Sequence, residues 1–152
     1  MLAVSENSIV IKASRDLVWD VLVDMENWPK WGIDERNRVM YHAILERKNN
    51  VIVCEEVEQT LGIFKTKHTD RYEIFPKGRL EEKILEGDLS GGFLMTLSDH
   101  HDGINVFVRT EIRPKKFPLR IIDILFGDKI LHQFWEDLLN QLSSYVQAKK
   151  LQ

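Results

Sequence analysis

The stretch from Phe64 to Ile74 carries the side chains best suited to chemistry. Read as a strand, it sets Phe64, Thr66, His68, Asp70, Tyr72 and Ile74 on one face and Lys65, Lys67, Arg71 and Glu73 on the other. The more charged face belongs to solvent. A two-residue turn at Gly62-Ile63 would place Leu61 opposite Phe64, Gln59 opposite Thr66, Val57 opposite His68 and Glu55 opposite Asp70. The same counting across Pro76 to Gly78 places Glu86 opposite His68 and Glu82 opposite Tyr72. Carboxylates and an imidazole would then converge, with the carboxylates favouring the imidazolium and their mutual repulsion and burial raising one carboxyl pKa. His68, Asp70 and Glu55 are therefore the candidate catalytic residues if the protein is an enzyme, as general acids and bases. Otherwise the same cluster is a polar anchor for a hydroxyl or carbonyl, or a solvated rim of the sheet that only keeps the surface wet.

Other reactive residues carry less. His100, His101 and Asp102 suggest a metal, but adjacent strand residues point to opposite faces and a turn before Gly103 is their natural home. No metal and no cofactor is expected. Lone Cys54 excludes an internal disulfide and, with no neighbouring base or helix terminus to activate it, reads as a small buried apolar residue. Trp28 and Trp31 fit packing of a helical corner better than stacking on a ligand.

These residues need a scaffold. The chain has 152 residues, 43% hydrophobic and 30% charged, with a formal net charge of −3, which suits one globular domain over 1–152 and lacks the basic footprint of a nucleic-acid binder. Met1 to Ile11 has no basic n-region or long apolar run, and no stretch approaches the length of a membrane span, so a cytoplasmic location is expected.

The longest pattern lies at the C-terminal end. Leu131, Phe134, Trp135, Leu138, Leu142, Tyr145 and Val146 recur at helical spacing, with His132, Glu136, Asp137, Asn140 and Gln141 on the wet side. Pro118 suits the first helical position, Gly127 is expected to bend or split the segment, and Asp128 to cap its second part. At the other end, Asn7 to Lys12 alternates as a strand, and Ser14 offers an N-cap to a short helix bearing Leu17, Val18, Val21 and Leu22. A helical turn or loop follows over Asp24 to Gly32.

Between Arg38 and Arg113, six strand-like runs alternate with five turn signals, the pattern of an antiparallel meander. Asp102-Gly103 fits a hairpin turn that sets Phe93, Met95 and Leu97 on one face with Val106, Val108 and Ile112. The expected fold class is α+β: a curved seven-stranded antiparallel sheet wrapped around a long C-terminal helix, with two short helices after the first strand.

The run from Ser8 to Trp31, with its strand, small residue, Val18-Trp19, Asp20 and Trp28-x-x-Trp31 pair, resembles the opening of the START-like superfamily. That superfamily includes polyketide cyclases, coenzyme-Q-binding proteins, plant hormone receptors and the birch-pollen allergen, and the order of elements agrees along essentially the whole chain. Two departures stand out: Ser14 occupies a position where proline is common, and Gly32-Ile33 replaces a proline after the second Trp.

The resemblance implies a helix-grip fold with a cavity between sheet and helix that holds an apolar or amphipathic ligand. Tyr72, Thr66, Met95, Leu97, Val108, Phe134, Trp135 and Leu138 are then the expected ligand-binding residues. The leading functional expectation is a carrier or binding protein for a lipid, isoprenoid or aromatic compound. The alternatives are a polyketide cyclase or dehydratase using the His68 cluster, and a module that docks a partner's peptide. Phe117 to Phe126 is more apolar than one helix face needs and would either pack over the sheet edge or serve as a lid, a transient membrane contact or a dimer surface, the last leaving monomer and homodimer both open.

Overall fold

The computed structural model describes residues 2–76 and 78–152. Lys77, in the turn expected at Pro76 to Gly78, lies outside the described residues, as does Met1. Strand β1 (Ala3–Ile11) is followed by helix α1 (Arg15–Val23), a 3₁₀ turn (Met25–Asn27) and short helix α2 (Trp28–Trp31). Strands β2 (Arg38–Lys48), β3 (Val51–Thr60), β4 (Phe64–Phe75), β5 (Arg79–Gly87), β6 (Leu89–His100) and β7 (Gly103–Pro114) then lead to helix α3 (Leu119–Lys150).

Local chemistry explains where the elements start. Ser14 is the N-cap of α1, its side chain accepting from the Leu17 amide at 3.2 Å. Trp28 begins α2 with Pro29 in the first turn, where a missing amide hydrogen is harmless. Its indole Nε1–H donates to the Leu22 carbonyl at 3.0 Å, tying α1 to α2. Both Trp28 and Trp31 are buried in the core, so the pair is a packed corner.

All seven strands form one antiparallel sheet in the order β1-β7-β6-β5-β4-β3-β2. The two short helices carry the chain from one sheet edge to the other, and α3 lies across the concave face over β1 and β7. The helix buries Phe134, Trp135, Leu138, Leu139, Leu142 and Val146 against that face. This is the helix-grip α+β architecture. None of the described helices is long and apolar enough to cross a membrane.

Two expectations about α3 are corrected. The helix runs unbroken through Gly127, and Pro118 is its N-cap residue rather than its first turn. A glycine inside a helix costs about 1 kcal/mol relative to alanine. Here it permits close approach, because a Cβ at Gly127 would sit 3.2 Å from the Ala3 Cβ and would collide with Asp123 Oδ1. Asp128 caps no second helix. Its Oδ1 accepts from the Val4 amide at 2.8 Å, pinning the start of β1 to α3.

The turns set the faces. At the β6–β7 hairpin, His100 pairs with Gly103, so His101 and Asp102 are the loop residues and the turn sits one position earlier than expected. The pairs Met95–Val108 and Leu97–Val106 still share the dry face, because both strands shift together and the alternation is preserved. At the β3–β4 turn the outcome differs. Thr60 pairs with Phe64 across a three-residue loop in which Leu61 (φ 56°) and Gly62 (φ 75°) are left-handed. The single-residue change exchanges inward for outward along β3.

Candidate functional site

The inner row of β4 contains Thr66, His68, Asp70 and Tyr72, all buried, as its alternation requires. Opposite them on β3 stand Glu58 (to Thr66), Glu56 (to His68), Cys54 (to Asp70) and Ile52 (to Tyr72). The expected pairing of Glu55 with Asp70 is therefore corrected: Glu55 lies on the outer face, its carboxylate 3.3 Å from Lys67 Nζ. Glu56 and Glu58 take the place assigned to it. Glu82 sits opposite Tyr72 as expected, but Glu86 pairs with Thr69 and is exposed. A bulge between Thr69 and Asp70 absorbs an extra residue of β5 at Leu85, and Gly87 (φ +121°) faces His68.

Glu56 and Glu58 share the strand phase of buried Ile52 and Cys54, a signal present in the sequence. It is masked by Val51, Val53 and Val57, which make the outer row look drier than the inner one. His42 on β2, paired with Glu56, has no clear signal in the sequence, since its strand is interrupted by two register shifts.

The cluster forms two connected networks. His68 Nδ1 contacts both carboxylate oxygens of Asp70, at 2.7 and 2.8 Å, which fixes the ring orientation. Its Nε2 lies 3.5 Å from Glu58 Oε2 without making a hydrogen bond. Tyr72 Oη donates to Glu56 Oε2 at 2.9 Å and approaches Glu82 Oε1 at 3.3 Å, while His42 Nε2 lies 3.2 Å from Glu56 Oε2.

Burial by itself would push the His68 imidazolium down. The hydrogen bonding with Asp70, the close approach of Glu58 and the charges of Glu58 and Glu56 outweigh it, and its pKa is raised to about 12. Glu58 is raised by burial and by the charge of Glu56, against the pull of His68. Glu82 is raised well above the usual carboxylate value by burial and then by Asp70 and Glu56. Burial, then Glu56, Glu82 and Asp70, keep Tyr72 a neutral phenol.

Above this cluster lies a cavity of about 100 Å³ between the sheet and the first half of α3. Its floor is Glu58, Thr66, His68 and Glu82, and its roof includes Ile122, Ile130, Leu131, Phe134 and Trp135. Thr66, Phe134 and Trp135, three of the residues expected to bind ligand, line the cavity, and His68 faces it. Asp70 stands behind His68 and contributes no wall. Tyr72, Met95, Leu97, Val108 and Leu138 are likewise off the wall and lie in the packed core. The difference follows from where α3 seats: beyond Trp135 the helix closes directly onto the sheet through Leu138 and Leu142, and this cavity lies under its first half.

Glu56, His68, Asp70 and Glu82 bring potential ligand atoms within 4.8 Å of one another. The same side chains are already joined as hydrogen-bonding pairs, and His68 Nε2 points away from that group, toward Glu58 and the cavity. His100, His101 and Asp102 also cluster, exposed at the hairpin tip.

No protein-family model matches the sequence, and no curated protein does. Solved structures match along the whole fold. TTHA0849 from Thermus thermophilus superposes with a TM-score of 0.80 at 16% identity, covering 98% of this chain and 99% of that one. The shared feature is the helix-grip fold. The Zhui aromatase/cyclase from Streptomyces sp. R1128 gives a TM-score of 0.81 at 12% identity, covering 97% of this chain and 94% of its own. Ara h 8.0201 gives 0.65 at 12% identity, covering 97% and 99%. At these identities the likeness is one of fold, and function has to be argued from the site.

Proposed function

We propose that the protein binds a small apolar or amphipathic molecule in the cavity between the sheet and α3, as a carrier or binding protein. One observation carries this reading. Among the described residues, seven buried side-chain nitrogen and oxygen atoms lack a hydrogen-bond partner, and four of them, Thr66 Oγ1, His68 Nε2, Thr110 Oγ1 and Trp135 Nε1, belong to residues of this one cavity wall. An unmade buried hydrogen bond costs about 1–3 kcal/mol, so a ligand that met all four would recover about 4–12 kcal/mol. The empty volume adds a smaller incentive, about 2 kcal/mol at roughly 24 cal/mol per Å³.

Native mass spectrometry of the purified protein, before and after incubation with a panel of small hydrophobic molecules, tests the reading. Retained mass that is lost on filling the cavity with Leu131→Trp supports it. No retained or added mass with any member, together with ordered wall side chains meeting across the cavity in a crystal structure, would overturn it.

A second reading, a cyclase or dehydratase type of enzyme, is favoured by the His68–Asp70 pair facing the cavity. In that reading His68 is a fixed positive charge near neutral pH, stabilising a developing enolate rather than taking a proton. The carboxyls held up in pKa, Glu58 and Glu82, are the better proton donors. Turnover of a poly-β-ketone thioester that is lost in His68→Gln with ligand binding retained would support it; unchanged turnover in that variant would end it.

A further inference from the structure

The polar groups on the cavity wall restrict the polar head that a ligand can carry. Trp135 Nε1–H can only donate, and His68, with Nδ1 committed to Asp70, presents Nε2–H as a second donor. Both call for an acceptor atom. Thr66 Oγ1 and Thr110 Oγ1 accept or donate as required. The surrounding charge is mostly acidic: Glu58, Glu82 and Asp123 line the cavity with Glu56 and Asp70 behind the floor, the His68 imidazolium is the one facing cation, and no Lys or Arg lines the cavity among the described residues. A bound carboxylate or phosphate would satisfy the donors but add an anion to a buried group of carboxyls already in mutual repulsion. An ammonium would suit the carboxyls but meets the His68 imidazolium and offers no acceptor to the two N–H groups.

A hydroxyl satisfies both demands. It accepts from His68 Nε2–H or Trp135 Nε1–H and donates to Glu58, whose Oε2 lies 3.5 Å from the same imidazole nitrogen. We propose that the cavity selects uncharged amphiphiles with a hydroxyl head, alcohols or phenols, over carboxylates and ammonium ions bearing the same apolar body. This rests on the ligand-binding reading above and adds head-group selectivity to it.

The test is calorimetric titration of the intact protein at neutral pH with octan-1-ol, octanoate, octylammonium and octane-saturated buffer as a matched set. Octan-1-ol is expected to bind at least about tenfold more tightly than either ion, since an ion unmatched in a buried site carries a heavy desolvation cost. Glu58→Gln with Glu82→Gln is expected to narrow the gap to octanoate. Equal or tighter binding of octanoate or octylammonium would overturn the selectivity while leaving ligand binding intact. No heat and no thermal shift with any of the four would count instead against the cavity as a ligand site, and the selectivity would fall with it.

The outer side of the same helix carries an independent observation. Phe117, Ile121, Ile124, Leu125 and Phe126 are between 50% and 74% exposed, clustered over the cavity roof. Lys115, Arg120 and Lys129 flank them and are also exposed, in a protein whose formal net charge is −3. An apolar patch rimmed by basic residues complements an anionic lipid surface, whereas a second copy would bring the like charges together. We infer that this half of α3 docks reversibly on anionic membranes.

Flotation with phosphatidylcholine vesicles, with and without phosphatidylglycerol, tests the inference. Binding only to the mixed vesicles is expected. Ile124→Glu with Phe126→Glu should abolish it without unfolding, since both side chains are exposed, and Lys115→Ala with Lys129→Ala should weaken it about 30-fold. No flotation with mixed vesicles, or a gel-filtration dimer that the Ile124→Glu, Phe126→Glu variant dissociates, would overturn it.

Discussion

His68 should govern much of the pH dependence of stability. Its side chain is 2% exposed and faces Asp70, whose side chain is 0% exposed, so solvent screening does little to weaken the pair. In the unfolded chain the imidazole returns to its ordinary value of 6.5, and in the folded protein it is raised to about 12. A folded value above the unfolded one means that the native state holds the proton more tightly. The stabilisation is therefore complete below pH 6.5 and is lost as the pH rises toward 12. In that window one proton is released per unfolding event, and stability falls by about 1.4 kcal/mol per pH unit, or about 3 kcal/mol between pH 7 and 9. Glu58 and Glu82, also raised, add a loss of the same sign, so the informative quantity is the difference between wild type and His68→Gln.

Urea unfolding at pH 7, 8 and 9 and constant ionic strength should show the wild-type curve falling more steeply than that of His68→Gln by about that amount. Asp70→Asn, which keeps the shape but removes the facing charge, should cost about 3–5 kcal/mol near neutral pH. Nitrogen-15 shifts should show the wild-type ring as an imidazolium up to pH 9 and titrating lower in Asp70→Asn. Parallel stability curves for wild type and His68→Gln, or a wild-type ring that titrates near 6.5, would refute the reasoning.

Three further outcomes are expected. Gly87→Ala forces a side chain into a left-handed backbone, with its Cβ driven into the Lys67 carbonyl oxygen, and should lower stability by at least about 1–3 kcal/mol in thermal melts. Leu142→Ala, emptying a fully buried position where α3 meets the sheet, should cost about 2–5 kcal/mol in urea unfolding. Cys54 is fully buried and its thiol is pushed up to about 12, first by burial and then by Glu56 and Asp70. Thiol reagents at pH 8 should therefore modify it only as fast as the protein opens, and rapid labelling of the native protein would contradict its placement.

Much of the architecture was legible in the sequence because it rests on local rules. Period-two alternation marked the six strands of the meander, the Ser14 cap marked α1, and the i, i+3, i+4 stripe from Leu131 to Val146 marked the part of α3 that the sheet grips. The inner row of β4, with His68, Asp70 and Tyr72, followed from alternation within one strand. The partners of that row did not, because they depend on the turn. One residue more in the Leu61–Ile63 loop faces Glu56 and Glu58 inward and Glu55 out to Lys67, and the valines on the outer face of β3 disguise the choice. By contrast, the hairpin shift at His101-Asp102 kept both strands in phase and left the dry face unchanged.

The place of the cavity was decided only by tertiary packing. The apolar stripe of α3 says that the helix must be covered, but not where along its length the sheet pulls away. Docking through Leu138, Leu142 and Val146 fills the space at one end, while Gly127 against Ala3 and Asp128 on the Val4 amide fix the other. Room remains along the helix from Leu119 to Trp135, above His68, because a rigid helix laid on a curved sheet cannot touch it everywhere.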